Sequence, residues 1–242
     1  MRTRSKSEVG HAKNTANFTA LIQLLAEMGP LYNPTNSEIK IVSLESLRDQ
    51  ILASMQNLSD QTPPFKLAVA NRENAFKPLS TLSTRVKNSF YSLSLSQAEK
   101  DNVLASVKKI RGDKPIGKAE TMDTEETQTI SNAQLSYTSK VSNLQSLISL
   151  LNAYPAYAPN ETDLTAADLT TLHNQLKNLN NEAADKTFRL ITARKQRNDL
   201  LYLNTTNLID LVLPVKEYIK SVQGANAYYK AAVALKFTNY KP

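Results

Sequence analysis

Residues 17–25 read Asn-Phe-Thr-Ala-Leu-Ile-Gln-Leu-Leu, and Tyr-Asn-Pro follows at 32–34. A similar pattern returns later in the chain, where residues 143–151 read Asn-Leu-Gln-Ser-Leu-Ile-Ser-Leu-Leu and Tyr-Ala-Pro follows at 157–159. In both stretches the apolar residues recur with the period of an amphipathic helix. A helix that ends in a Tyr-x-Pro loop and occurs twice predicts an all-α protein that arose by internal duplication.

The two copies align over nearly the whole chain. Asn17 matches Asn143 at an offset of 143 − 17 = 126. Further matched pairs at similar offsets are Tyr32 and Tyr157, Ile39 and Leu164, Arg72 and Arg197, and Lys109 and Lys236. The alignment predicts a first helical repeat unit at 1–115, a polar acidic linker at 116–132 and a second helical repeat unit at 133–242. We expect about four helices in each repeat, with the two repeats docked into one helical bundle.

Helix boundaries are predicted from prolines and capping residues. The first helix should span 7–28, and the second should start near Ser43 and stop at Thr62-Pro63-Pro64, because proline lacks the backbone donor that a helix interior needs. A long third helix is predicted at 64–93, with a kink at Pro78 and a copy at about 185–222. Its apolar stripe has heptad-like spacing, which is typical of a coiled-coil seam.

A fourth helix is predicted from its two ends. Ser96 and Glu99 have the spacing of a capping box, in which each residue satisfies a backbone donor near the other. Arg111-Gly112 supplies a glycine stop.

Composition excludes several kinds of chemistry. The chain has 242 residues and no cysteine, so disulfides, thiolate catalysis and cysteine-ligated metal centres are excluded. Its formal net charge is +7, but the basic residues alternate with acids along the predicted helices. That pattern favours a solvated helical surface over a dedicated basic face. No apolar run approaches the length of a membrane span, so we expect a soluble, cytoplasmic protein.

Catalytic and metal-binding patterns are weak. The two histidines, His11 and His173, are not part of a metal-ligand motif. Gly112 and Gly117-Lys118 have P-loop spacing, but Ala119 stands where that loop needs Ser or Thr. We therefore expect a non-enzymatic protein without a cofactor, a metal site or a small-molecule substrate.

One family resemblance is carried by the first helix and its loop. Residues 4–18 include Arg-Ser-Lys-Ser-Glu-Val-Gly-His-Ala-Lys-Asn at 4–14 and Ala-Asn-Phe at 16–18, and Tyr-Asn-Pro-Thr-Asn follows at 32–36. This pattern resembles an uncharacterised, internally duplicated helical family associated with Bacteroidota. The resemblance implies an all-helical fold, and it assigns no activity and no catalytic residues.

Two arginines and the chain end are the candidate interaction residues. Arg72 lies on the predicted apolar stripe, where a guanidinium needs a structural partner or an anionic ligand, and Arg197 is its match. Near the end, aromatic residues alternate with lysines, which can hold a partner helix or stack on bases, although core packing of the rings is the commoner arrangement. The candidate residues are Arg72, Arg197, Tyr228, Tyr229, Lys230 and Lys236.

The predicted function is that of a non-enzymatic helical scaffold or protein-interaction module, whose partner is another protein or, if the module self-associates, a second copy of the chain. The alternative is a protein that binds nucleic acid or another anionic surface through a basic helical face. Salt separates the two, because phosphate binding weakens steeply as salt rises and helix docking does not.

Overall fold

The computed structural model describes residues 6–113 and 136–239, and these residues form helices and no strand. The all-α prediction is thus confirmed for this part of the chain, whereas the predicted linker at 116–132 lies outside it. The α-helices are α1 (Lys6–Glu27), α2 (Ile41–Phe76), α3 (Leu79–Tyr91), α4 (Gln97–Arg111), α5 (Tyr137–Asn152), α6 (Ala166–Asn198), α7 (Leu208–Ser221) and α8 (Asn226–Ala234).

Helix α2 does not stop at Pro63-Pro64, and the predicted boundary there was wrong. It continues to Phe76, and the chain leaves the helix at Lys77-Pro78 instead. The two prolines deprive the carbonyls of Ser59 and Asp60 of their helical donors, but both residues are exposed, so water can replace those donors. The break at Pro78 therefore separates α2 from α3.

The predicted copy of the third helix, at about 185–222, is also divided differently. Helix α6 ends in a π-helical segment, Asp199–Leu203, which closes with a hydrogen bond from the Asn204 amide to the Asp199 carbonyl at 2.9 Å. The chain then turns, and Asn207 caps α7 by accepting a bond from the Asp210 amide at 3.0 Å. The capping asparagine explains the break, since its side chain replaces a helical backbone partner.

The ends of α4 are as predicted. Ser96 and Glu99 form the capping box, with the Ser96 amide donating to Glu99 Oε2 at 2.8 Å. Gly112 closes the helix in the left-handed conformation with φ of 75°, which glycine adopts without steric cost.

The described chain folds into two compact units, each built from both halves of the sequence. Unit 1 comprises Met1–Pro63 and Phe188–Pro242, and unit 2 comprises Pro64–Thr187. The boundaries lie inside α2 and α6. The compact units are therefore not the repeat units predicted at 1–115 and 133–242.

Unit 1 has its own apolar core. It combines residues of α1 and the first part of α2 with residues of α7 and α8, and Phe18, Leu44 and Val215 are fully buried in it. At about 25 cal/mol per Å² of apolar surface, burial of such side chains is the main stabilising contribution.

Unit 2 has a second core, formed by α3, α4, α5 and the adjoining parts of α2 and α6. Phe90, Val107 and Leu147 are fully buried there. The sequence predicts a heptad-like stripe at 64–93, and on it five residues at steps of three and four are buried. They are Phe76, Leu79, Ser83, Val86 and Phe90.

The Tyr-x-Pro loop has the same internal bond in both units. Tyr32 Oη donates to the Ile39 carbonyl at 2.7 Å in unit 1, and Tyr157 Oη donates to the Leu164 carbonyl at 2.8 Å in unit 2. Each tyrosine thus fastens the loop that joins one helix to the next.

Candidate interaction sites

Arg72 is held by neutral groups in unit 2. Its guanidinium carbon lies 4.2 Å from the centre of the Tyr137 ring, and Nη1 donates to Asn180 Oδ1 at 3.4 Å. Its Nε is buried without a hydrogen-bond partner among the described residues. The ring face compensates part of the charge through a cation–π contact. Arg72 therefore serves to join α2, α5 and α6.

Arg197, the match of Arg72, is more deeply buried and lies in unit 1. Its side chain is 5% exposed, and Nε and Nη2 donate to Asn198 Oδ1 at 3.1 and 3.0 Å. It belongs to a polar cluster in which His11 Nδ1 lies 2.7 Å from Tyr202 Oη. Burial raises the pKa of Tyr202, and the Asn14 hydrogen bond and the Arg197 charge partly offset that effect.

Asn14 links this cluster to the end of the described chain. It is fully buried, its Nδ2 donates to the Thr238 carbonyl at 2.7 Å, and its Oδ1 accepts from the Thr238 amide at 2.9 Å. Nδ2 also lies 3.2 Å from Tyr202 Oη. All of its amide is thus satisfied, as a buried polar group requires.

The predicted C-terminal residues lie on α8 and just after it, in unit 1. Tyr228 and Tyr229 are half-buried against the core, and Tyr228 Oη donates to the Glu27 carbonyl at 3.4 Å. Lys230 and Lys236 are exposed. The rings thus pack inward while the lysines face solvent, which is the arrangement expected of a core-facing helix.

An exposed apolar pair lies on α6. Phe188 is 68% exposed and Ile191 is 52% exposed, and their spacing of three residues places them on one side of the helix. Phe188 also lines a shallow depression of about 310 Å³ together with Asn57 and Gln61 of α2. We call Phe188 and Ile191 the α6 patch.

A groove lined by several polar side chains, together with Ala53 and Leu200, lies beside the π-helical segment of unit 1. It has a volume of about 450 Å³ and brings Gln50, Ser54 and Asn57 of α2 opposite Gln196 and Asp199. Within the described residues no lysine or arginine lines it. Amide and hydroxyl groups of this kind can bind a neutral polar molecule, but nothing in the groove selects one.

The remaining candidates do not converge. His11 belongs to unit 1 and His173 to unit 2. Among residues 6–113 and 136–239 there is no group of three or more His, Asp or Glu side chains that could hold a metal ion. The same part of the chain contains no helix that is long and apolar enough to span a membrane.

Comparison with protein-family models, curated proteins and solved structures gives no match to this chain. The resemblance to a helical family of Bacteroidota therefore stays a prediction.

Sequence reasoning missed Asn14, Tyr202 and the α6 patch. Asn14 could have been found, because His11, Asn14, Thr15 and Phe18 share one helical stripe, and a polar residue on such a stripe needs a partner. The exposure of Phe188 and Ile191 depends on which side of α6 faces the core, and periodicity alone does not decide that.

Proposed function

We propose that the protein is a non-enzymatic, internally duplicated helical module that associates with a second copy of itself through the α6 patch. Each repeat would contribute four helices, α1–α4 and α5–α8. The observation that carries the proposal is the exposure of Phe188 and Ile191 side by side on one face of a helix. Two large apolar side chains at this spacing are typical anchors for another helix.

The internal duplication is supported by bonds that recur at matched positions. Besides the two loop tyrosines, Asn17 Nδ2 donates to the Lys236 carbonyl at 2.6 Å, and Asn143 Nδ2 donates to the Lys109 carbonyl at 3.4 Å. Both the donors and the acceptors of these bonds are matched pairs in the sequence. A hydrogen bond that recurs between matched residues is more specific evidence for duplication than an apolar pattern that recurs in the sequence.

The α6 patch would supply part of the binding free energy of the dimer, which must also offset the loss of translational and rotational freedom on association. Fully burying a Phe or Ile side chain contributes about 1.5–3 kcal/mol, and a two-fold contact would bury two copies of each. Removal of both side chains should weaken the dimer by at least about a hundredfold in Kd.

The test is sedimentation velocity of the parent chain and the Phe188→Ser, Ile191→Ser double variant over a range of concentrations. Leu213→Ser is the matched control, because Leu213 is also in unit 1 and is 65% exposed. We expect dimers for the parent and the control, and monomers for the double variant. A parent that stays monomeric, or a control that loses the dimer equally, would refute the proposal.

Salt distinguishes the alternative of nucleic-acid binding. An apolar dimer should persist between about 50 and 200 mM salt, whereas a complex that relies on several phosphate contacts weakens by orders of magnitude over that range. If the chain retards DNA or RNA at low salt, loses it at high salt and forms no dimer, the alternative is favoured.

A further inference from the structure

Residues 235–239, which we call the C-terminal strap, follow α8 in a non-helical conformation. Leu235 and Phe237 pack against the core of unit 1, whereas Lys236 and Thr238 are exposed. This alternation has the period of two that is characteristic of extended chain. The strap therefore presents every second side chain to the core.

The backbone of the strap is bound by side chains from two other helices. Asn14 of α1 pairs with both the amide and the carbonyl of Thr238, at 2.9 and 2.7 Å. Asn17, one turn further along α1, donates to the Lys236 carbonyl at 2.6 Å. Lys216 Nζ of α7 donates to the Leu235 carbonyl at 2.9 Å. Together with the three asparagine bonds, four hydrogen bonds from side chains hold the backbone of the strap.

These contacts recognise backbone rather than sequence. An asparagine amide that satisfies both backbone groups of one residue imitates the pairing of a neighbouring β-strand. The side-chain selectivity comes from Leu235 and Phe237 alone, and Lys216 Nζ also lies 5.3 Å from the centre of the Phe237 ring. The backbone-binding side chains and the core contacts of Leu235 and Phe237 together fit an extended segment with the pattern Leu-x-Phe.

Unit 2 lacks this arrangement in its described residues. Its chain stays helical through Arg111, and the position matched to Asn14 is Lys140, which has no acceptor for a backbone amide. Among the described residues, an asparagine that pairs with both the amide and the carbonyl of one residue is therefore a feature of unit 1, whereas Asn143 of unit 2 donates a single bond to a backbone carbonyl.

We propose that Asn14, Asn17 and Lys216 form a binding site for an extended Leu-x-Phe segment of a partner protein, and that the C-terminal strap occupies this site in the free protein. The strap competes with the partner because its tether gives it an effective concentration in the millimolar range. A partner segment binds when it displaces the strap. The site shares no residue with the α6 patch, so each proposal can fail alone.

The probe is a capped, fluorescent peptide with the sequence of residues 233–239, Val-Ala-Leu-Lys-Phe-Thr-Asn. Binding is measured by fluorescence anisotropy with the full chain and with its Phe237→Asp variant, in which a carboxylate replaces the ring that anchors the strap. We expect the variant to bind the peptide about tenfold more tightly than the parent, because its own strap no longer competes. A peptide with Asp in place of Phe should not bind.

Asn17→Ala in the Phe237→Asp chain should raise the Kd of the peptide about fivefold, which is the loss expected for one hydrogen bond. Asn143→Ala is the matched control in unit 2 and should have no effect. The α6-patch double substitution should also leave peptide binding unchanged.

The proposal is wrong if a folded Phe237→Asp chain does not bind the peptide, or if parent and variant bind it equally. Circular dichroism establishes whether the variant folds. If it does not, a chain that ends at Leu235 replaces it in the same measurements. Failure of both chains to fold would show that the strap is an obligatory part of the core, and would also overturn the proposal.

Discussion

The two compact units share a loop and differ in the surroundings of a matched arginine. In both units a tyrosine of the Tyr-x-Pro loop donates to a carbonyl seven residues later. Arg72, by contrast, lies over the Tyr137 ring in unit 2, whereas Arg197 is buried in unit 1 in a cluster with His11 and Tyr202. The shared bond closes the loop between two helices in each unit. The divergent cluster connects to the C-terminal strap through Asn14 and is a place where the two units differ in structure.

The largest effect is expected when the chain is divided into its two sequence halves. Because each core contains residues from both sequence halves, fragments 1–124 and 125–242 should each be unfolded alone. When mixed, they should recover helical structure. Circular dichroism of the separate and mixed fragments measures this, and a stable, cooperatively melting single fragment would show that a sequence half folds by itself.

Truncation of matched core residues tests whether the units are independent. Phe18→Ala in unit 1 and Leu144→Ala in unit 2 remove side chains that are almost completely buried. Each should lower the free energy of unfolding by about 2–5 kcal/mol.

Hydrogen exchange of backbone amides shows which helices are destabilised by each substitution. If the units open separately, Phe18→Ala should accelerate exchange in α7 and not in α4, and Leu144→Ala should do the reverse. Equal acceleration in both units after either substitution would mean that they unfold as one.

The matched arginines should differ in their contribution to stability. Arg197→Met should cost about 2 kcal/mol, because hydrogen bonds to a buried charged group are lost together. Arg72→Met should cost about 1 kcal/mol, since it removes a cation–π contact and one long hydrogen bond. Urea denaturation measures both values. A larger loss in the free energy of unfolding for Arg72→Met than for Arg197→Met would contradict the predicted order. No loss for either variant would show that neither arginine stabilises the fold.

The smallest effect is expected at the shared loop. Tyr32→Phe and Tyr157→Phe each remove one hydrogen bond and should cost about 1 kcal/mol near neutral pH. If the two variants lose very different amounts of unfolding free energy, the two loops share the geometry of this hydrogen bond but not its contribution to stability.

Alkaline pH sharpens the same comparison. Burial raises the pKa of Tyr157 to about 12, and burial also raises the pKa of Tyr32. An unfolded tyrosine loses its proton near pH 10, whereas the folded Tyr157 keeps it until about pH 12, so stability should fall as pH rises between these values. The double Tyr→Phe variant should show a shallower decline in alkaline denaturation curves. An identical decline in parent and variant would contradict this assignment.

Local signals predicted much of the fold. Helix-period apolar runs gave the all-α class, and Ser96, Glu99 and Gly112 marked both ends of α4, because capping depends on residues that are close in sequence. Pro63-Pro64 misled the prediction, since a helix tolerates proline where the freed carbonyls are exposed to water, and exposure is set by tertiary packing. The clustering of Arg197 with His11 and Tyr202 depends on contacts between distant segments, which periodicity does not encode.

The sequence positions of the two compact units also bear on the order in which the chain is made and folded. Unit 2 is one continuous segment, Pro64–Thr187, whereas unit 1 needs Met1–Pro63 together with Phe188–Pro242. On the ribosome, α1 and the first part of α2 emerge before α7 and α8, so the core of unit 1 can be completed only after α7 and α8 have been synthesised. Unit 2 can therefore form before unit 1 is complete, and during that interval part of the apolar stripe at 17–25 remains exposed to aggregation.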